Sequence, residues 1–236
     1  MTELLRIEPT RVLAVYAHPD DLEISCGGAL VRWAAAGAST HVLTCTQGDK
    51  GSVDPATDPA TLAAQRSAEA AAAAAIMGVS TTESLGYADG DIENSAEVRG
   101  RLVACIRTLQ PDIVICPDPT AVFFGDRYIN HHDHRVVGWA VLDACAPAAA
   151  SPLYYPETGP PHQVQMLLLS GTLAPDVWID ITAAVDRKIA ALLCHASQVG
   201  TDERIITDIV RGRAAEAGVA AGIRHAESFR RVRLVG

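Results

Sequence analysis

The chain has 236 residues, nearly half of them apolar, and carries a net charge of −9. That length and composition support one sizeable core without disulfide or metal staples. The negative balance, with no basic tract, argues against non-specific nucleic-acid binding, which rests on neutralising phosphates with Lys and Arg.

The opening MTELLRIEPTR has an early acid and no apolar h-region, so no signal peptide is expected. No apolar run approaches membrane-span length, and a cytoplasmic location is the expectation. RVLAVYA (11–17) is short, apolar and β-branched, and reads as a buried strand. An acidic loop and a Gly pair follow, then a helical segment, ALVRWAAAG (29–37), stopped by its glycine. STHVLTCT (39–46) reads as a second strand and QGDKGSVDPATDP (47–59) as a loop. TLAAQRSAEAAAAAAIMG (61–78) is an alanine-rich helix with Thr61 as its expected N-cap and Gly78 beyond its end.

ESLGY (83–87) reads as a short strand. AEVRGRLVACIRTLQ (96–110) is a helix ended by Pro111, and DIVICP (112–117) is another buried strand. Residues 117–132 read as a long loop, DHRVVGWAVLDAC (133–145) as a helix, and the proline-rich 147–161 as an irregular connection. QVQMLLLS (163–170) and VWID (177–180) read as strands and 181–197 as one helix. The tail from Thr201 is expected to be helical in part and to end in a strand near 228–234.

Strands alternating with helices predict a mostly parallel, Rossmann-like α/β sheet with helices on both faces, as one domain over 1–236, with antiparallel additions toward the C-terminus. Ligands in such folds sit outside the carboxyl ends of the strands. AHPDDLE leaves the end of the first strand, and HHDH follows the DIVIC strand. The two polar clusters can therefore meet at one sheet edge.

His18 and Asp21 are three residues apart, so a helical turn points both side chains one way. With His134 they make two imidazoles and one carboxylate, a common zinc set that leaves a position for water. Asp20, the adjacent carboxylate, then faces elsewhere and can take the proton of an attacking water. His131 can donate to a developing oxyanion or leaving amine. Asp133 can orient His131 or a ligand histidine through its second ring nitrogen. The chemistry is metal-assisted hydrolysis of an amide or ester, with zinc favoured over other divalent transition ions such as iron or cobalt. Each piece also has a plainer use. PDD and HHDH can cap helices, and a lone His18 can be a hydrogen-bonded structural residue.

AHPDDLE with GG, followed by HHDHR, resembles the PIG-L/LmbE-like family of zinc-dependent N-deacetylases. The likeness extends to LTCTQGDKGS, to the R-x-x-E helix and to DVWIDITAAVDRKIAALLCHASQ, and covers most of residues 11–200. It implies His18, Asp21 and His134 as zinc ligands, Asp20 as general base and His131 near the oxyanion and leaving group. It places Arg66 near the substrate, against the alternative of a salt bridge to Glu69 or a loop acid. His132 replaces the usual proline. Ile129 stands where some members have a tyrosine, so the second oxyanion donor is open between Asn130, which can otherwise cap the next helix, and Tyr128.

Asp49, Asp89, Asp118 and Asp126 lie in loops and can line a sugar pocket or simply form turns. His195 and Gln198 are further candidates, against plain helix-end packing. His41 reads as structural, and His162 and His225 carry no signal. The six cysteines include no C-x-x-C pair and read as small buried hydrophobes.

The expected activity is removal of an N-acetyl group from an N-acetylglucosamine-type amino-sugar conjugate by a zinc hydrolase. The alternatives are an amidase for a larger acyl or thiol-conjugate amide, and a non-catalytic zinc- or sugar-binding protein. A nucleotide-binding fold is disfavoured, because the first loop is acidic where a phosphate cradle needs glycines. The expected partner is a small amino-sugar conjugate, with no nucleic acid and no membrane insertion. Homo-oligomerisation is left open.

Overall fold

The computed structural model describes residues 3–200 and 202–235. After a two-residue strand, β1 (Glu3–Leu4), the first apolar run forms β2 (Arg11–Tyr16). Val12, Ala14 and Tyr16 enter one core, and Leu13 and Val15 the other. This is the period-two alternation of a strand covered on both faces.

Two short helices, α1 (Asp21–Ser25) and α2 (Gly27–Ala35), lead into β3 (Ser39–Thr46). A Cβ on Gly28 would lie 2.7 Å from the Ile181 side chain, so only glycine allows this approach. The amides of Gly28 and Ala29 donate to the buried Glu227 carboxylate at 2.7 and 2.8 Å. A carboxylate at a helix N-terminus satisfies orphan N–H groups and complements the helix dipole.

Helix α3 (Pro59–Met77) begins two residues before the expected start. Its N-cap is Asp58 rather than Thr61, whose amide and hydroxyl donate to the Asp58 carboxylate at 2.9 and 2.6 Å. Pro59 fills the first position, where a missing N–H costs no helical bond. Next come β4 (Thr81–Tyr87), α4 (Ala96–Leu109) and β5 (Ile113–Pro117).

The expected loop after β5 folds in part into a hairpin, β6 (Phe123–Phe124) with β7 (Tyr128–Ile129). Helix α5 (His132–Asp143) is followed by Ala144–Ala149, where extended backbone at Ala146 kinks the chain before Pro147. Arg107 of α4, only 3% exposed, ties down the connection that follows. It donates to the carbonyls of Ala148, Ala149, Ser151, Tyr154 and Tyr155.

β8 (Met166–Ser170) and β9 (Val177–Asp180) follow. The single helix expected over 181–197 is broken into α6 (Val185–Leu192) and α7 (Ala196–Val199), because the chain turns His195 inward against Glu23. α8 (Glu203–Ala221) and β10 (Ala226–Arg233) close the structure. Thr201, which opens the predicted tail, lies outside the described residues.

The main sheet has the order β1-β9-β10-β8-β5-β2-β3-β4. Its pairs are parallel except those of β10, which runs antiparallel to β8 and β9. α1, α2, α3, α6 and α8 cover one face, and α4 and α5 the other. Strand order reverses at β2, with β3 on one side and β5 on the other. That is the topological switch point at which open α/β sheets form their ligand crevice. The loops after β2 and β5 both leave it at their carboxyl ends. No helix among the described residues is long and apolar enough to cross a membrane.

Candidate active site

Asp21 opens α1 and folds back, so that its Oδ2 accepts from the His18 amide at 2.8 Å and lies 3.4 Å from His18 Nδ1. The i, i+3 spacing thus puts both side chains on one side of the turn. His134, from the first turn of α5, arrives from the loop after β5. Its Nε2 lies 3.1 Å from Asp21 Oδ1 and 3.3 Å from His18 Nδ1. One ligand atom from each of the three residues lies within 4.8 Å of the other two.

The partners of the outer ring nitrogens define which atoms face inward. His134 Nδ1 lies 3.0 Å from Asn130 Oδ1. The Asn130 amide nitrogen donates to the Ala121 carbonyl at 2.9 Å, which leaves Oδ1 as the acceptor. His134 therefore carries its proton on Nδ1 and a lone pair on Nε2. His18 Nε2 lies 3.0 Å from Asp89 Oδ1 and 3.3 Å from Asp133 Oδ2, so it donates outward and presents Nδ1 inward. Two lone pairs and a carboxylate at these distances repel unless a cation stands among them. Burial alone would lower the His18 pKa, but the carboxylates of Asp133, Asp21 and Asp89 push it up to about 12. A metal ion would replace that proton, as ligation by neutral imidazole requires. The residues fit a divalent cation.

Asp20 is not one of the three clustered residues and pairs with Arg66 beside them. Its backbone has φ 109°, a region that L-residues seldom occupy, and the strain is held by a buried guanidinium. Arg66, 3% exposed, donates to Asp20 Oδ1 at 3.0 Å, to the Pro19 carbonyl at 2.6 Å and to the Gly48 carbonyl at 2.9 Å. A Cβ on Gly48 would collide with that guanidinium at 2.5 Å. Burial, reinforced by the Asp21 carboxylate, lifts the Asp20 pKa to about 7 against the opposing pull of Arg66 and His195. Of the two settings open to Arg66, the ion pair is therefore with Asp20. Glu69 instead accepts from the amide and hydroxyl of Ser197.

His131 is the N-cap of α5, and its Nδ1 accepts from the Asp133 amide at 3.2 Å. Burial and the charge on His18 lower its pKa. The ring is thus neutral, with its proton on Nε2, which lies 4.0 Å from Asp89 Oδ1. The Asp133 carboxylate lies 3.3 Å from His18 Nε2 and 4.0 Å from His131 Nδ1, and accepts from the Gly90 amide at 2.7 Å. Asn130 takes neither of its expected uses: it caps no helix, and its amide is engaged by Ala121. Tyr128 and Ile129 stand 52% and 64% exposed on the hairpin at the mouth.

The sequence matches the model of the PIG-L family, GlcNAc-PI de-N-acetylase, over residues 13–145. The chain belongs to this family. It is 30% identical to diacetylchitobiose deacetylase of Thermococcus kodakarensis over 224 residues, which is 93% of this chain and 82% of that one. It is also 30% identical to 1D-myo-inositol 2-acetamido-2-deoxy-alpha-D-glucopyranoside deacetylase of Rhodococcus jostii, covering 87% of this chain and 89% of that one. Its fold superposes on the N,N'-diacetylchitobiose deacetylase of Pyrococcus horikoshii with a TM-score of 0.86 and 29% identity, over 96% of this chain and 85% of that one. Within this PIG-L family chain, both predicted polar clusters lie inside the matched span.

Two further features take settings that the sequence did not specify. Asp89, read as a loop residue that lines a sugar pocket or forms a turn, faces His18. Its position just past the end of β4, at the same sheet edge as AHPDD, is the signal that picks it out. Asp49 supports it, accepting from the Asp89 amide at 2.8 Å. The buried pair Glu23–His195, at 3.3 Å, packs beneath the loop that carries Asp20. Asp118 caps its own turn through Thr120, and Asp126 pairs with Arg127 on the surface.

Proposed function

We propose that this chain is a metal-dependent amide hydrolase. It removes the N-acetyl group from an N-acetylglucosamine-type amino-sugar conjugate, with zinc as the ion. The observation that carries this is the facing pair of ring nitrogens, His18 Nδ1 and His134 Nε2 at 3.3 Å, beside the Asp21 carboxylate. Two imidazoles and one carboxylate are the donor set of many catalytic zinc sites, and the activities named for the relatives support the substrate class. Bound by these residues, the ion supplies Lewis acidity that acidifies water and polarises an amide carbonyl.

The chain's own groups supply the rest. Asp20, with its pKa near 7, is poised to take a proton from the attacking water at neutral pH. Arg66 holds that carboxylate in place. His131 offers its Nε2–H to the developing oxyanion. A neutral ring that gave up this proton would become an anion, so the proton that reaches the amine comes back from Asp20. The C–N bond then breaks, leaving acetate and a free amine. A cytoplasmic location completes the proposal.

The deciding measurement is the metal content of the wild type beside His134→Ala, together with acetate release from N-acetylglucosaminyl conjugates. The wild type should hold close to one equivalent of zinc and turn over, and the variant should do neither. A metal-loaded Asp20→Ala variant with full activity would falsify the mechanism.

A further inference from the structure

A cavity of about 180 Å³ opens beside the ligand cluster. Asp21 and His134 line it, with Tyr16, Phe124, Ser25 and Gly171, whereas Asp20 and His131 do not. If the proposed hydrolysis holds, on which this inference rests, the substituents of the reacting carbonyl carbon sort by side. Water attacks from the side of Asp20, which also returns the proton to the amine, and the oxyanion faces His131. The acyl substituent takes the remaining direction, toward Asp21 and His134. A methyl group leaves most of this space empty, since a cavity of about 150 Å³ accepts benzene.

Ser25 and Gly171 also line a second cavity of about 340 Å³, bounded by α1, α6, α8 and β10. Its walls include Ile24, Leu192, Ile206, Ile209, Val210 and Ala217. Of the charged groups that line it, Lys188 and Glu227 are partnered, and Arg213 is exposed. Lys188 pairs with Glu227 and donates to the Ile24 carbonyl at 2.7 Å, and Glu227 accepts the two α2 amides. Apart from Arg213 and the hydroxyls of Ser25 and Ser228, the cavity offers hydrocarbon and satisfied polar groups, a lining that suits an alkyl chain. Ile24 and Ile209 stay 43% and 46% exposed along it. Ser25 and Gly171 line both cavities, and Gly171 carries no side chain that would part them.

We propose that the acyl side of the site continues past Ser25 and Gly171 into this second cavity, and that the enzyme takes N-acyl amino sugars with linear chains of butanoyl to octanoyl length. The reaction is unchanged. The water oxygen bonds to the carbonyl carbon, the C–N bond breaks, the amine takes the proton and the fatty acid leaves as its carboxylate.

The test uses the metal-loaded full chain and N-acetyl-, N-butanoyl-, N-hexanoyl- and N-octanoyl-glucosamine, with free amine as the readout. kcat/KM should rise about fourfold for each methylene that enters the cavity, and ~10²-fold or more from acetyl to octanoyl. Ala217→Phe, which fills the second cavity, should abolish that rise and leave the acetyl rate unchanged. Ile209→Glu, a surface change that puts a charge beside the chain, should do the same if the first variant fails to fold. Hydrolysis of the acetyl substrate with a flat or falling chain-length series overturns this inference alone. A rise that survives both substitutions also overturns it, because the chain then lies elsewhere. Hydrolysis of no substrate overturns the proposed function and this inference with it.

Discussion

Asn130 Oδ1 lies 3.0 Å from His134 Nδ1, and this contact dictates which nitrogen of His134 faces His18 and Asp21. The amide is itself locked by the Ala121 carbonyl, so the orientation is not left to chance. Outer partners of this kind are worth about 10–100-fold in metal affinity. Asn130→Ala should weaken zinc binding by about that factor in a chelator competition, while the folded state persists. Asn130→Asp, which keeps the acceptor, should retain most of the affinity. Equal affinity in Asn130→Ala and wild type would show that His134 needs no such support.

Asp20 and Arg66 form a separate unit beside the ligands. Asp20→Asn should keep its metal and lose ~10²–10⁴ in kcat, the usual range for a positioned general base. Arg66→Lys should also bind metal and lose activity. An ammonium cannot reproduce the planar fork that reaches Asp20, Pro19 and Gly48 together. Metal analysis run beside single-turnover rates separates these variants from ligand mutants. Loss of metal in either would place Asp20 among the ligands instead.

Much of the frame is legible in the sequence because it depends on local pattern. β2, β3 and β5 are apolar runs bounded by turn residues, and β3 spans the predicted 39–46. His18 and Asp21 meet through a spacing of three, and HHDH falls at the end of a neighbouring strand, so the cluster can be assembled before any coordinates. What stays hidden depends on partners far along the chain. Glu227 caps α2 from 199 residues away, so no capping motif stands beside that helix. Asp89 and Asn130 are ordinary turn or cap residues by local chemistry, and only the tertiary fold turns them toward His18 and His134. The break between α6 and α7 is hidden for the same reason: helical composition runs through it, but Glu23 draws His195 inward.

His41 gives a pH dependence far from the site. Its ring sits between the hydroxyls of Ser39 at 3.0 Å and Thr81 at 2.8 Å. Burial lowers its pKa, with Arg11 adding to that and Glu83 opposing. The unfolded chain therefore binds the proton more readily than the folded one. The stability that neutral His41 contributes is complete above the unfolded value of about 6.5 and is lost as pH falls through the folded value. His41→Gln should flatten the fall in Tm between pH 7.5 and pH 5 relative to wild type. Parallel Tm curves would assign the acid sensitivity to other groups.

Arg107 gathers six carbonyls of the connection between α5 and β8, along with the Thr158 hydroxyl at 2.8 Å, and meets no carboxylate. Its charge is compensated by backbone dipoles and one hydroxyl, so it acts as the core of a segment that has little apolar material of its own. Removing it strands several buried acceptors at once, each costing about 1–3 kcal/mol unless water reaches it. Arg107→Met matches the stem and deletes every donor. It should destabilise the fold by at least ~3 kcal/mol, read as a shift in the urea midpoint at constant m. Arg107→Lys should recover little, because one ammonium cannot span acceptors arranged around a planar fork. In the metal-loaded protein the loss should appear as faster proteolysis within residues 144–160, with the specific activity of the surviving enzyme unchanged. A variant as stable as wild type would mean that the proline-rich connection holds its shape without the guanidinium.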